Sequence, residues 1–232
     1  MYAASDLAGL TWPEIGRRAA GCLLVLPLGS TEQHGPHLPL STDTDIALEL
    51  ARRLAAVRPD VLIAPAVPYG SSGEHAGFPG TLSIGQSALE NLVVELARSA
   101  DAFAAVLIVS AHGGNALPLA RAVSTLRAEG RAVRSWTPTD HRVGDRSTDA
   151  HAGYGETSVM LAIRPSSVRG GDLPAGRTEP VAALMDELVR SGVSSVSPNG
   201  VLGDARGANA SSGESLLEAW AGDLARSVQG WP

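Results

Sequence analysis

Glu32, His34, His37, Asp43 and Asp45 crowd into the stretch EQHGPHLPLSTDTD, directly after the apolar run CLLVLPL. Carboxylates and imidazoles gathered at the end of a buried strand are unfavourable to pack unless they serve a site. Residues i and i+2 of an extended segment point the same way, so Glu32 and His34 can approach one ion. Asp43 stands where TDIALELA opens a helix. It is either a ligand or an acid at a helix N-terminus, where backbone N–H groups favour negative charge. Asp45, in the first helical turn, suits the helix role better, and Asp43 the ligand role. His37 and His141 read as ordinary loop residues.

Two further segments carry the same residue types. In SAHGGN, His112 follows an apolar run and precedes two glycines, which allow a tight turn and leave room for an ion or substrate. A strand-end histidine bonded to a carbonyl is the plainer alternative. In HAGYGETS, His151 and Glu156 could act as base and ligand, or Glu156 could simply start a helix. Glu74 and His75, in SSGEHAGFPG, are candidates for substrate contact or for ordering their loop. Other chemistries lack their signatures: there is no G-x-S-x-G elbow, phosphate-binding loop, G-x-G-x-x-G or H-E-x-x-H. A mixed carboxylate and imidazole set suits Zn, Mn or Fe(II) better than Ca.

The elements that must position these groups are legible as an alternation. CLLVLPL (22–28), VLIAPAV (61–67), AAVLIVSA (104–111) and AVRSWTP (132–138) read as buried strands. TDIALELARRLAAV, QSALENLVVELARSADAF and LPLARAVSTLRAEG, between them, carry helical periodicity. Strand–helix alternation with continuous apolar strands predicts an α/β fold with a mainly parallel sheet covered on both faces. Further on, PVAALMDELVRSG and SGESLLEAWAGDLARSV predict amphipathic helices, and ETSVMLAI fits a helix or a late strand. Each polar cluster follows a strand, and ligands of open α/β sheets bind beyond the carboxyl ends of the strands. With no linker visible, residues 1–232 are read as one domain.

Composition narrows the function. Hydrophobic residues make up 44% of the 232 residues and charged residues 18%, enough for a sizeable core. The net charge is −6 with no Lys/Arg block, so nucleic acid is not an expected partner. The single Cys22 excludes an internal disulfide framework and fits a buried thiol in a reducing cytosol. No signal peptide or membrane span is expected, which predicts a cytoplasmic protein.

The segments LPLGSTEQHGPHLPLSTDTDIA, PYGSSGEHAGFPGTLSI, VSAHGGN and DAHAGYGETS, in that order, resemble the creatininase (creatinine amidohydrolase) family. The resemblance implies a three-layer α/β/α sandwich that binds two divalent metals, Fe(II) and/or Zn(II) or else Mn(II), at the strand ends. It implies Glu32, His34, Asp43 and His112 as ligands, Asp43 bridging, and His151 as the proton-transfer residue. Gly114 stands where creatininase itself has a glutamate two residues beyond its strand-end histidine. Glu156 then becomes the candidate for the missing oxygen ligand, and creatinine a doubtful substrate. Three acids against two divalent ions leave one positive charge, which a hydroxide nucleophile would balance.

Residues 192–219, GVSSVSPNGVLGDARGANASSGESLLEA, resemble the matching part of the mycofactocin precursor peptide peptidases within that family. This implies a modified precursor peptide as substrate, cut to release a C-terminal dipeptide derived from Val-Tyr. It also implies a homo-oligomer, often a hexamer, with loops 170–180 and 194–212 available for contacts. Other readings are a small-molecule amidohydrolase, either creatininase proper or a formylamino-pyrimidine nucleotide deformylase, and a catalytically silent metal-binding protein. A nucleotide substrate calls for a rim arginine cluster, whereas Arg142 and Arg146 are scattered; a silent relative would be expected to have lost a ligand.

Overall fold

In a computed structural model that describes residues 5–139, 142–143, 146–147 and 149–232, the four apolar runs become the strands of one parallel sheet. The elements run α1 (Trp12–Gly16), β1 (Leu23–Leu28), α2 (Thr42–Val57), β2 (Val61–Ile63), α3 (Gln86–Ser99), β3 (Ala105–Ser110), α4 (Ala116–Ala128) and β4 (Val133–Trp136). They continue with β5 (Arg142–Val143), β6 (Arg146–Ser147), α5 (Tyr154–Ile163), α6 (Val181–Ser191), α7 (Val193–Val196) and α8 (Ala210–Ser227). The sheet order is β2-β1-β3-β4. Leu23 to Leu28 pair in register with Ala105 to Ser110. The segment ETSVMLAI, ambiguous by pattern, lies in helix α5.

Alternation along β1 divides the core into two. Leu23 and Val25 face a cluster built from α2, α5 and α8, with Leu50, Leu54, Met160, Leu216 and Leu224 at its centre. Leu24, Leu26 and Leu28 face α3 and α4, against Leu89, Val93, Leu119 and Leu126. Helices thus cover both faces of the sheet, giving three α/β/α layers. Each fully buried Leu or Val contributes roughly 1.5–3 kcal/mol, and Cys22 is one of the buried core side chains.

β2 is shorter than its apolar run because pairing with β1 slips by one residue past Ala64, while Pro65 turns its nitrogen to the outer side, where Ile63 N–H meets the Ser5 carbonyl. The chain stays extended past it: Ala64 N–H donates to the Val25 carbonyl and Val67 N–H to that of Pro27. Pro27 is tolerated inside β1 because its nitrogen lies on the β2 side of the strand, beyond the end of β2.

The chain leaves β1 toward β2 on one side and returns to build β3 and β4 on the other. The switch point lies between the carboxyl ends of β1 and β3, the expected place for a ligand. The loop Gly29–Leu40 and His112 emerge there. No helix among the described residues is long and apolar enough to cross a membrane.

Helix α8 fixes α5, and with it Glu156, through a close approach at Gly213, where an added Cβ would run into the Ser158 carbonyl. A helix-interior glycine normally gains about 1 kcal/mol on replacement by alanine. Here the steric conflict reverses the sign: Gly213→Ala is expected to lose ~1–3 kcal/mol and lower Tm by several degrees in a thermal melt. A raised Tm would contradict this packing.

Candidate metal centre

Asp43 is the second residue of α2 and is buried. It is not an N-cap: the helix starts after Ser41, and the Asp43 carboxylate turns into the site. Oδ2 accepts from Ser30 Oγ at 2.6 Å and Oδ1 lies 3.1 Å from His34 Nε2. Its charge still gains from the helix N-terminus. Asp45 plays the structural part, accepting from Ser41 Oγ at 2.9 Å and Arg164 Nη1 at 2.6 Å.

The extended segment Glu32–His34 sends its first and third side chains to the same side. His34 Nδ1–H donates to the Glu32 carbonyl at 3.1 Å, which leaves Nε2 aimed at Asp43 and 3.8 Å from Glu156 Oε2. His112, just past β3, donates from Nε2 to the Ser71 carbonyl at 3.0 Å. Its Nδ1 then sits 3.2 Å from Glu32 Oε1 and 3.3 Å from Asp43 Oδ2. Both the strand-end carbonyl bond and the approach to acids are therefore present in one ring.

Three triads of potential ligands result, with ligand atoms in each within 4.8 Å of one another: Glu32, His34 and His151; and, as a pair sharing one acid, Glu32, Asp43 and His112, and His34, Asp43 and Glu156. Asp43 is the acid shared by that pair. The donor set fits divalent cations on a further ground. Glu32 is fully buried, yet neither of its carboxylate oxygens has a hydrogen-bond partner among the described residues. A buried carboxylate without donors is strongly unfavourable unless a cation meets it.

The electrostatics of these residues point the same way. Burial opposes ionisation of Glu32, but His112 and His34 outweigh it and hold Glu32 at about 2. Asp43 lies well below the usual carboxylate range, because the same two imidazoles overcome its burial. Burial would lower His34; the Asp43 carboxylate wins and raises it to about 10. His112 is likewise raised, by Asp43 and Glu32 against burial. Protons on the two imidazoles thus stand where cations would. Glu156 differs: burial pushes it up to about 7 despite His34, while its Oε2 accepts from Ala152 N–H at 2.6 Å.

His151 behaves as a neutral base. Burial and the neighbouring His34 charge hold it well below the ordinary histidine value. Its Nε2–H donates to the Gln33 carbonyl at 2.8 Å, so the lone pair is on Nδ1, 3.7 Å from Glu32 Oε1. The tail loop sets its backbone: His151 and Leu202 exchange both N–H···O bonds, at 3.1 and 2.9 Å. Ala152, beside it, is the one non-glycine residue with positive φ among the described residues, at 52°. That strained conformation aims its N–H at Glu156.

Glu74 and His75 lie beside the acid cluster, off the cavity wall. The cavity that reaches the acids, about 590 Å³, is walled by Asp43, His112, His151, Glu156, Arg177 and Trp220 among others, and neither Glu74 nor His75 is on that wall. His75 is buried behind the cluster, its Nε2 3.5 Å from Glu32 Oε1 and its Nδ1 2.9 Å from the Gln33 side-chain nitrogen. The Glu74 carboxylate lies 3.7 Å from His112 Nε2. It fills space beside Gly114, where an added Cβ would meet the Ser71 carbonyl, Glu74 and His112. No side chain fits at position 114, so an acid there is excluded sterically. His37 is buried rather than on an open loop surface, with Nε2 2.9 Å from Thr157 Oγ1. His141 lies outside the described residues, as do the side chains of Arg142 and Arg146.

Ser30, Gln33 and Asn115 were not singled out from the sequence, yet each orders the site. Asn115 joins the ends of β1 and β3 to the Ser71 loop, donating to the Gly29 carbonyl at 3.1 Å and to Ser110 Oγ at 3.3 Å, and accepting from Ser71 N–H at 2.9 Å. The available signal was position: Gln33 lies between two candidate ligands and Asn115 closes HGGN.

The sequence profile of the creatininase family, creatinine amidohydrolase, matches residues 8–228. The chain belongs to the creatininase family. It is 46% identical over 215 residues to the mycofactocin precursor peptide peptidase of Mycolicibacterium smegmatis, covering 90% of this chain and 85% of that protein. Among solved structures, a tryptophan-to-phenylalanine mutant creatininase superposes with a TM-score of 0.83 at 26% identity, over 99% of this chain and 100% of that one. A further mutant creatininase, described as Zn-Zn type, has a TM-score of 0.80 at 25% identity, over 100% of both chains. The creatininase architecture expected from the sequence is therefore the one observed.

Because His34 and His112 are held protonated without metal, divalent ions must displace protons to bind. Metal binding at neutral pH is expected to release protons, and affinity to rise with pH toward about 10, the His34 value. Titration calorimetry in buffers of different ionisation enthalpy measures this; a heat that does not vary with buffer would contradict it.

Proposed function

We propose that this chain is a metal-dependent peptidase that hydrolyses an amide bond near the C-terminus of the mycofactocin precursor peptide and releases the modified Val-Tyr-derived dipeptide. The observation that carries the reading is the pair of triads sharing Asp43, set beside a neutral His151 whose open Nδ1 faces the cluster. The 46% identity to a protein named for that activity supports the choice of substrate.

In this reading Glu32, Asp43 and His112 hold one divalent ion, and His34, Asp43 and Glu156 a second. Fe(II) or Zn(II) is the favoured occupant, and Mn(II) shares the same ligand chemistry. When bound, such ions polarise the scissile carbonyl and lower the pKa of water from 15.7 to about 7. His151 Nδ1 accepts the proton of the attacking water and returns it to the leaving amine. The Gln33 carbonyl on Nε2–H keeps that nitrogen available and holds the ring as its charge changes, as in other histidine bases.

The cavity walls suit a short peptide end. Arg177 is the one arginine among the described residues that line the cavity. Among the described residues its ion-pair partner is the exposed Glu179, at 2.7 Å, a contact that a substrate can exchange with little loss. The reading gives Arg177 the terminal carboxylate of the peptide. It also carries a homo-oligomer of hexamer type in the cytoplasm; the exposed apolar stripe Val181, Met185 and Val189 on α6 suits a subunit contact.

Exhaustive chelation is expected to abolish cleavage of a modified Val-Tyr-ending peptide, and Fe(II) or Zn(II) to restore it. His151→Ala should retain metal and lose about 10²- to 10⁴-fold in kcat. Product masses and metal content are the readouts, and full activity in the metal-free protein would overturn the mechanism. Arg177→Ala should raise KM for a peptide with a free C-terminal acid roughly tenfold, the scale of one charged hydrogen bond. The C-terminal amide of the same peptide should be little affected.

A further inference from the structure

The side chain of Gln33 sits at the crossing of four contacts. Its Oε1 accepts from Gly35 N–H at 2.8 Å, and its Nε2 donates to the Gly200 carbonyl at 3.0 Å. These two backbone partners fix which way the amide faces, because a carbonyl cannot meet Oε1 and an N–H cannot meet Nε2 favourably. The NH₂ group is therefore turned toward the imidazoles. Its second hydrogen goes to His75 Nδ1 at 2.9 Å. His151 Nε2 is also near, at 3.0 Å, but its own N–H is committed to the Gln33 carbonyl.

Consequences follow for both rings. With Nδ1 accepting, a neutral His75 must carry its proton on Nε2, the nitrogen that faces Glu32 Oε1 at 3.5 Å. The same residue's backbone carbonyl leaves the proton of His151 on Nε2 and its lone pair on Nδ1. The rings of His75 and His151 lie 4.4 Å apart, and those of His151 and His34 4.3 Å apart, so a shift of one is felt by the others. Gly200, at φ +78°, has no room for a Cβ, which would strike the Gln33 amide. The tail loop and the Glu32–His34 segment are thereby clamped together through one side chain.

We propose that Gln33 is a positioning residue: its amide holds His75 in the tautomer that carries its proton on Nε2, on the Glu32 side, and, by clamping the loop to Gly200, seats His151 with Nδ1 open to the substrate. It touches neither substrate nor reacting atoms. The role rests on the hydrolase reading for its effect on turnover, while its effect on the His75 proton stands independently. Partners of this kind typically contribute 10- to 100-fold in activity when removed.

The test uses the Zn(II)-loaded full-length chain with ring-¹⁵N histidine, measuring metal content, kcat, KM and the His75 tautomer by NMR. Wild type is expected to show His75 protonated on Nε2. Gln33→Met, similar in size but without donors, should keep its metal and its KM, lose about 10- to 100-fold in kcat, and release His75 from a single tautomer. Gln33→Glu keeps the shape yet offers no N–H, so it should move the His75 proton to Nδ1 and fail to rescue kcat. Gly200→Ala displaces the amide without altering Gln33 and should give the same kcat loss; it decides the matter if the Gln33 variants do not fold. Wild-type turnover in these variants, an unchanged His75 tautomer, or activity lost in proportion to metal would each overturn the proposal. A wild-type protein that cleaves no peptide but shows the His75 signature would sink the functional reading and leave the tautomer assignment standing.

Discussion

Three carboxylates and two imidazoles are gathered at the strand ends, all but Glu156 buried, and everything near them is arranged to make that tolerable. Glu32 is the extreme case, a fully buried acid whose oxygens find no hydrogen-bond donor among the described residues. Isolated charge in such a place is unfavourable by several kcal/mol or more. The pocket offers cations as the remedy, and in their absence protons on His34 and His112 serve instead. Asp43, shared between two of the triads, is where both needs meet.

The fold supplies this arrangement with rigid supports. β1 and β3 lie side by side, buried on both faces, so the residues just past their ends start from well-fixed positions. Asn115 then ties those ends to the Ser71 segment. α2 brings Asp43 in with its N-terminal dipole, and α5, held by α8, brings Glu156. The tail loop contributes the last restraint, pairing Leu202 with His151 and presenting Gly200 to Gln33. A site meant to stabilise developing charge gains from being held this firmly, since little reorganisation is then required.

The space around Gly114 is closed by Ser71, Glu74 and His112. The resemblance to creatininase led to an expected glutamate there, and this chain has none. Glu74 occupies the adjoining volume, and Glu156 approaches His34 and Asp43 from the opposite side. A cavity of about 590 Å³ reaches Asp43, His112 and Glu156 and is walled by the start of α6 and the tail loop.

The sequence by itself determined the α/β class, the order of elements and the chemical type of the site. Continuous apolar strands and periodic helices are local patterns, and EQHGPH, HGGN and HAGYGET announce their donors by type. It also set Asp43 apart from Asp45, and the fold turns Asp43 toward Ser30 and His34 while Asp45 pairs with Ser41 and Arg164. Tertiary structure alone decided the rest. Where β2 ends, that His151 lines the cavity, and that His75 lies beside Glu32 off the cavity wall all depend on packing between distant segments. Gln33 was invisible for the same reason: its partners are His75, His151 and Gly200, and only folding sets 42, 118 and 167 residues of separation to zero. Residue types are carried by the chain, but the direction in which a ring nitrogen or an amide points is settled by hydrogen bonds that no local pattern encodes.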